Sequence, residues 1–390
     1  MPTAAEPSAP LGPGSGSDRL PGFDGVRALA ALMVVTYHAV FFATWFETPG
    51  GAVLWNLNAG VWIFFVTSGF LLYRPFAAAH RDRSRSPSVG PYAVRRAARI
   101  YPAYWCVLAF FAWVVPRLVI DDSTGVWRHV LLVQTYVRTE APFGPFGDGL
   151  PPAWSLVVEV TFYAFLPAYA AAVGFAARRR SPATVEWAGV TALTVAGIAA
   201  VVAVANGADA PWLTILPQHL PAFAAGIALA VVSVAAPERT AVGSGVRPGR
   251  SWSAAAALFL AIPIVLGVRP FAVPSPTTRI ALDLVLAGFA ACVVAPVALG
   301  GGGSGIIGRL LRSRIAVALG TVSYGIFLWH WFVLAVVQDD WLGRPVGEAS
   351  WPVVLVIALP IVVGAAAVSW FAVERPVLRG AGALIRGRRS

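Results

Sequence analysis

DGVRALAALMVVTYHAVFFATW, residues 24–45, is long and apolar enough to cross a bilayer as a helix, yet it carries Arg27 and His38. Ionisable groups at membrane depth are costly, so each needs a reason: either it lines a polar cavity or it makes a structural hydrogen bond between helices. Their spacing of eleven residues, at about 1.5 Å per residue, sets His38 roughly 16 Å deeper than Arg27, near the midplane if Arg27 lies at one face. Asp24 and Arg27 are three apart and can pair on one face at the helix start. A neutral imidazole at the depth of His38 is available as a general base.

The rest of the chain repeats this apolar character. A hydrophobic content of 58% against 12% charged residues, delivered in blocks, identifies an all-α polytopic helical bundle in a membrane. Ten spans are expected, at about 26–46, 52–73, 101–120, 153–175, 185–205, 212–236, 251–268, 279–299, 315–337 and 351–372. A weaker segment at 127–137, with Arg128, His129 and Gln134, is too short and polar to span and reads as re-entrant or interfacial. Ten spans with both termini cytoplasmic put the basic loops inside and Asp121, Asp122, Asp209, Asp339 and Asp340 outside. Counting an eleventh would put Arg178, Arg179 and Arg180 outside, against the positive-inside tendency. The expectation is a multi-pass protein of the cytoplasmic membrane. It has a disordered tail over 1–19, one transmembrane domain over 20–378 and a basic cytoplasmic tail over 379–390, with no cleaved leader.

Net charge is +11 and every basic residue other than histidine is arginine, but the arginines cluster between apolar blocks. That pattern orients a membrane protein and argues against a nucleic-acid partner. Cys106 and Cys292 fall in separate apolar blocks without ligand spacing, so they read as small buried hydrophobes, and neither a disulfide framework nor a metal site is expected.

Further polar groups interrupt the apolar blocks. Arg95, Arg96 and Arg99 lead into Tyr101 and the third block; they either anchor the loop or, through Arg96 and Arg99 on one face, form guanidinium forks for phosphate. Ser155 and Glu159 are four apart on one face, with Glu159 roughly 9 Å below the outer interface. Its carboxylate is protonated, paired with a cation such as His38, or orients an acceptor hydroxyl. Pro217 and Pro221 bracket Gln218 and His219, best read as a structural kink. His330 sits between Trp329 and Trp331, which suit an interfacial belt or a site equally.

Together, RLPGFDGVRALAALMVVTYHA, VWIFFVTSGFLLYRPF, VRRAARIYPAYW, PPAWSLVVEVTFYAFLP, LPAFAAGIALA, SYGIFLWHWFV and VERP, in this order from Arg19 to Pro376, resemble the successive signatures of membrane-bound acyltransferase family 3. The resemblance implies transfer of an acyl group, often acetyl, from acyl-coenzyme A to a hydroxyl of a carbohydrate or a macrolide-type glycosylated product, without a metal. It carries over His38 as the essential histidine, Arg27 as its paired arginine, Arg96 and Arg99 as the loop pair, and Ser155 with Glu159 as the fifth-segment motif. Asp24, Tyr101 and His330 are expected in support. Two departures stand out. Ala28 replaces the glycine expected after Arg27, and no hydrolase-like domain follows the last helix, which implies the stand-alone version of the enzyme. The implied scheme has Arg27, Arg96 and Arg99 holding coenzyme A phosphates. His38 acts as base or acyl carrier, Glu159 orients His38 or the acceptor, and Ser155 fixes Glu159. A proton-coupled transporter with a relay through His38, Glu159 and His330 is the rival reading, against which no matching interrupted repeats are found.

Overall fold

A computed structural model describes residues 22–43, 49–117, 120, 123–136, 149–208, 210, 212, 215–235, 248–265, 275–300, 305–345 and 347–387. The expected tail over 1–19 and the acids Asp121, Asp122 and Asp209 lie outside them. Among the described residues every regular element is helical. In order they are α1 (Phe23–Phe42), α2 (Pro49–Trp55), α3 (Gly60–Arg81), α4 (Val89–Ala109) and α5 (Ser123–Val130). There follow α6 (Trp154–Ala177), α7 (Pro182–Ala205), α8 (Leu216–Ala235), α9 (Pro248–Val265) and α10 (Pro276–Ala298). The chain continues through α11 (Gly305–Leu311), α12 (Arg314–Thr321), α13 (Ser323–Val336), α14 (Trp351–Ser369) and α15 (Arg375–Gly387).

Eight helical stretches among the described residues are long and apolar enough to cross a membrane, and α12 with α13 makes a ninth as a bent pair. Nine of the ten expected spans are matched in this way; over the expected seventh, α9 is described only to Val265 and falls short of that length and apolarity among the described residues. The weak segment is α5 and a 3₁₀ turn at Gln134–Tyr136, too short to cross. It lies against α4, where Trp105 Nε1 donates to the Val130 carbonyl at 2.8 Å.

Three boundaries differ from expectation for physical reasons. Helix α4 starts at Val89, twelve residues before the apolar block, with Pro91 in its first turn, where a missing N–H costs nothing. Alanine and arginine, both strong helix formers, carry it forward, so Arg95, Arg96 and Arg99 lie on a helix and not in a loop. The ninth span breaks by 70° between α12 and α13. There Gly320 lets α12 press against α1, since a Cβ on it would collide with the Asp24 carbonyl, and Ser323 Oγ donates to the Gly320 carbonyl at 2.8 Å. Finally, α14 runs through a π-helical turn at Trp370–Glu374 into α15, so the expected basic tail is helical through Gly387.

The core is centred on α3 and α8. Gly69 and Gly226 face each other where these helices cross, and a Cβ on Gly226 would collide with the Val66 carbonyl. Small residues allow this close approach, which matters in a bilayer, where packing replaces the hydrophobic drive. Phe223 of α8 stacks on Phe65 at 4.9 Å and on Phe162 of α6 at 3.9 Å, pairs worth about 0.5–1.5 kcal/mol each beyond their buried area. A buried carboxylate, Glu186, ties α7 to α3 by accepting from Tyr73 Oη at 2.6 Å and pairing with His80 Nδ1 at 2.7 Å. Arg117 joins the end of the third span to Asp339, at 2.8 Å, and to Asp340 beyond α13. Cys106 and Cys292 are half-buried free thiols on α4 and α10.

Candidate active site

A cavity of about 980 Å3 opens among α1, α3, α4, α6, the bent pair and α15. Its lining includes Asp24, Arg27, Arg95, Arg96, Arg99, Ser155 and Glu159, so seven of the residues singled out in the sequence converge on one space. Arg375, Arg379 and Arg386 join them, which leaves one end rich in guanidinium groups. Phe64, Phe65 and Phe327 contribute apolar wall.

The arginines differ in their commitments. Arg99 donates to Glu374 Oε2 at 3.0 Å and lies 5.5 Å from the ring centres of both Tyr324 and Trp370. Glu374 is fully enclosed, so this is a buried ion pair fixing α4 to the π-helical turn. Arg96 stacks over the Tyr163 ring at 5.8 Å. Neither Arg96 nor Arg27 makes an ion pair or hydrogen bond among the described residues, so their donors remain available to an anion.

Glu159 is held by two hydroxyls: Ser68 Oγ donates to its Oε1 at 2.5 Å, and Tyr163 Oη donates to the same oxygen. One expectation fails here: Ser155 Oγ donates to the Pro152 carbonyl at 3.1 Å, three residues back at the start of α6, and does not fix Glu159. Of the readings open for Glu159, a hydrogen bond to His38 is not formed.

The partner of His38 is His330. His38 Nδ1 lies 2.9 Å from His330 Nε2 and 3.0 Å from the Val34 carbonyl. His330 Nδ1 lies 2.6 Å from the Phe327 carbonyl, which can only accept. The hydrogen bonds therefore assign the protons: His330 Nδ1–H donates to Phe327, His330 Nε2 accepts, and His38 Nδ1–H donates to both His330 and Val34. The lone pair of a neutral His38 is left on Nε2. His330 is fully buried whereas His38 is half-buried, ringed by Tyr37 at 4.6 Å and Trp331 at 5.2 Å.

Neither histidine lines the cavity. Phe327 connects the two regions: its ring lines the cavity, sits 6.4 Å from Phe64 and lies 5.7 Å from the His330 ring. Tyr101, expected in support, is outside this space; its hydroxyl points to the Leu131 carbonyl at 3.4 Å. His219 packs among Trp62, Phe65 and Trp154 and belongs to the core. Residues without an assigned part in the sequence that now acquire one are Ser68, Tyr163 and Glu374. The last stood in plain view in VERP, but only the fold brings it to Arg99.

The arrangement is a cavity among membrane-spanning helices that gathers several guanidinium groups, with an oriented imidazole beyond its Phe327 wall. The chain belongs to acyltransferase family 3: the family's acyltransferase domain matches residues 20–370. Among curated relatives, "Putative peptidoglycan O-acetyltransferase YrhL" of Bacillus subtilis is 28% identical over 385 residues, 92% of this chain and 55% of that protein. The peptidoglycan O-acetyltransferase OatA of Listeria monocytogenes is 28% identical over 159 residues, 38% of this chain and 24% of that protein. Nodulation protein 10 of Rhizobium leguminosarum is 29% identical over 163 residues, 37% of this chain and 42% of that protein. The chain thus spans about half the length of the Bacillus relative and less of the other two. No solved structure matches it at a significant level.

Proposed function

We propose that this chain is an integral-membrane O-acyltransferase of the cytoplasmic membrane. It moves an acyl group, acetyl first among the candidates, from acyl-coenzyme A to a hydroxyl of a carbohydrate or of a macrolide-type glycosylated product. The observation that carries the reading is the cavity of about 980 Å3, which presents guanidinium groups at one end and reaches Phe327, beside the His38–His330 pair, at the other. The relatives named peptidoglycan O-acetyltransferases favour a glycan acceptor and acetyl as the group moved.

In this scheme Arg27 and Arg96 hold donor phosphates at the cytoplasmic end, with Arg99 kept in place by Glu374. Eleven residues of α1 separate Arg27 from His38, about 16 Å, a distance suited to a donor with an extended arm. The thioester then approaches His38 past Phe327. The acceptor oxygen attacks the thioester carbon and its proton passes to His38 Nε2. The C–S bond breaks, and the departing thiolate takes a proton from the imidazolium. In the alternative route Nε2 attacks the thioester carbon and expels coenzyme A as its thiolate; the acceptor hydroxyl then takes the acyl group from the imidazole and gives up its proton to that thiolate. Glu159, held by Ser68 and Tyr163, orients the donor or acceptor from the cavity wall. The transporter relay loses support, because Glu159 bonds to hydroxyls and to neither imidazole.

The test is transfer from radiolabelled acetyl-coenzyme A by the purified chain to a panel of peptidoglycan fragments and glycosylated macrolides. Wild type should release free thiol and label an acceptor, and a folded His38→Ala variant should do neither. Equal transfer by that variant would overturn the scheme.

A further inference from the structure

We propose that one face of α15 is a phosphate-recognition surface, reading the end of the donor farthest from its thioester; this rests on the acyl-coenzyme A reading above. Arg375, Arg379 and Arg386 lie within about 40° of arc on the helix, since steps of four and eleven residues nearly complete whole turns. All three line the cavity, and so does Gly382, which sits between Arg379 and Arg386 on the same face. A Cβ on Gly382 would meet only Arg386 Nη1, at 3.6 Å, so the stripe has a side-chain gap at its centre. No acidic residue lies on the helix, and Arg379 and Arg386 have no ion-pair or hydrogen-bond partner among the described residues.

Position gives the stripe its role. It begins one residue after Glu374, the partner of Arg99, and runs about 16 Å to Arg386. Arg27 and Arg96 come from α1 and α4 and serve phosphates nearer the thioester. Arg379 and Arg386 serve a separate phosphate monoester at the far end, such as that on the ribose of coenzyme A. A lipid headgroup would carry the same chemistry, but the exposed apolar side chains Val377 and Leu384 occupy the other face of the helix. That face suits the membrane boundary, whereas Arg379 and Arg386, exposed as they are, border the cavity.

The experiment measures binding of coenzyme A, dephospho-coenzyme A and adenosine 3′,5′-bisphosphate to the full chain in nanodiscs, by calorimetry. Wild type should prefer coenzyme A over its dephospho form. The double variant Arg379→Gln/Arg386→Gln should bind coenzyme A about 10-fold more weakly and lose the preference, with binding of the dephospho form little changed. Arg379→Lys/Arg386→Lys should recover part of it, which a purely structural role would not predict. A preference that survives the glutamine substitutions overturns the proposal, as does a wild type that binds both forms equally. An effect seen in anionic nanodiscs and absent from zwitterionic ones assigns the stripe to lipid and also overturns it. Failure of wild type to bind any of the three compounds would instead sink the donor reading itself.

Discussion

Replacing His330 by alanine tests how much of the reactivity of His38 is set by its neighbour. The Nδ1–H of His38 is shared between two acceptors, His330 Nε2 at 2.9 Å and the Val34 carbonyl at 3.0 Å. The second lies one turn back on α1 and survives the substitution, so the tautomer with a free Nε2 is weakened and not abolished. Losing one hydrogen bond worth about 0.5–1.5 kcal/mol corresponds to a fall of about 2-fold to about 13-fold in kcat. His38→Ala removes the group proposed as base or acyl carrier and should cost about 100-fold to about 10,000-fold. The assay is steady-state thiol release with acetyl-coenzyme A and a working acceptor. KM for the donor should hold constant, since His330 is absent from the cavity wall. His330→Gln, with an amide oxygen able to accept from Nδ1–H, should recover part of the loss. Two results would refute the reasoning: unchanged kcat in His330→Ala, or a loss as deep as that of His38→Ala in a protein that still folds.

Removing Glu374 strands the Arg99 guanidinium in a mostly buried site, so Glu374→Ala should lower stability by about 3–5 kcal/mol, read as a fall in melting temperature in detergent. The double variant Arg99→Ala/Glu374→Ala should lose less than the sum of the single changes; strict additivity would show that the pair is not coupled. Tyr101→Phe gives up only a long contact to the short segment beyond α4, and acyl transfer should stay within about 2-fold of wild type. Gly226→Val inserts a side chain into the Val66 carbonyl, so overpacking should cost at least about 1–3 kcal/mol and reduce the yield of monodisperse protein. Normal yield and melting would mean that α3 and α8 can separate there.

What the chain announced in advance was whatever depends on local composition. Apolar blocks located the membrane helices, and the cost of burying charge drew attention to Arg27, His38 and Glu159 before any contact was known. Boundaries were lost where a helix continues without an unbroken apolar run: 89–100 and Arg375–Gly387 are helical through alanine and arginine among scattered larger apolar residues, too polar to read as a span. The break near Val322 was equally hidden, because Gly320 and Ser323 sit inside an otherwise ordinary span. In the site, proximity along the helix misled. Ser155 and Glu159 share a face, yet each found a different partner, and the true neighbours of Glu159 are Ser68, 91 positions earlier, and Tyr163. His38 and His330 stand 292 residues apart, a pairing that no periodicity could announce.

The corner between α12 and α13 has a geometric consequence. Eight residues of α12 extend about 12 Å, and a turn of 70° carries the far end sideways by about 11 Å, close to the diameter of a helix. Val317 and Thr321 of the displaced half and Tyr324 and Phe327 of the other half line the cavity on either side of this corner. Part of the chamber's wall is therefore placed by the course of the backbone. Substitutions along that wall reshape it by a methyl group or a ring, whereas a change at the corner would move a whole half-helix.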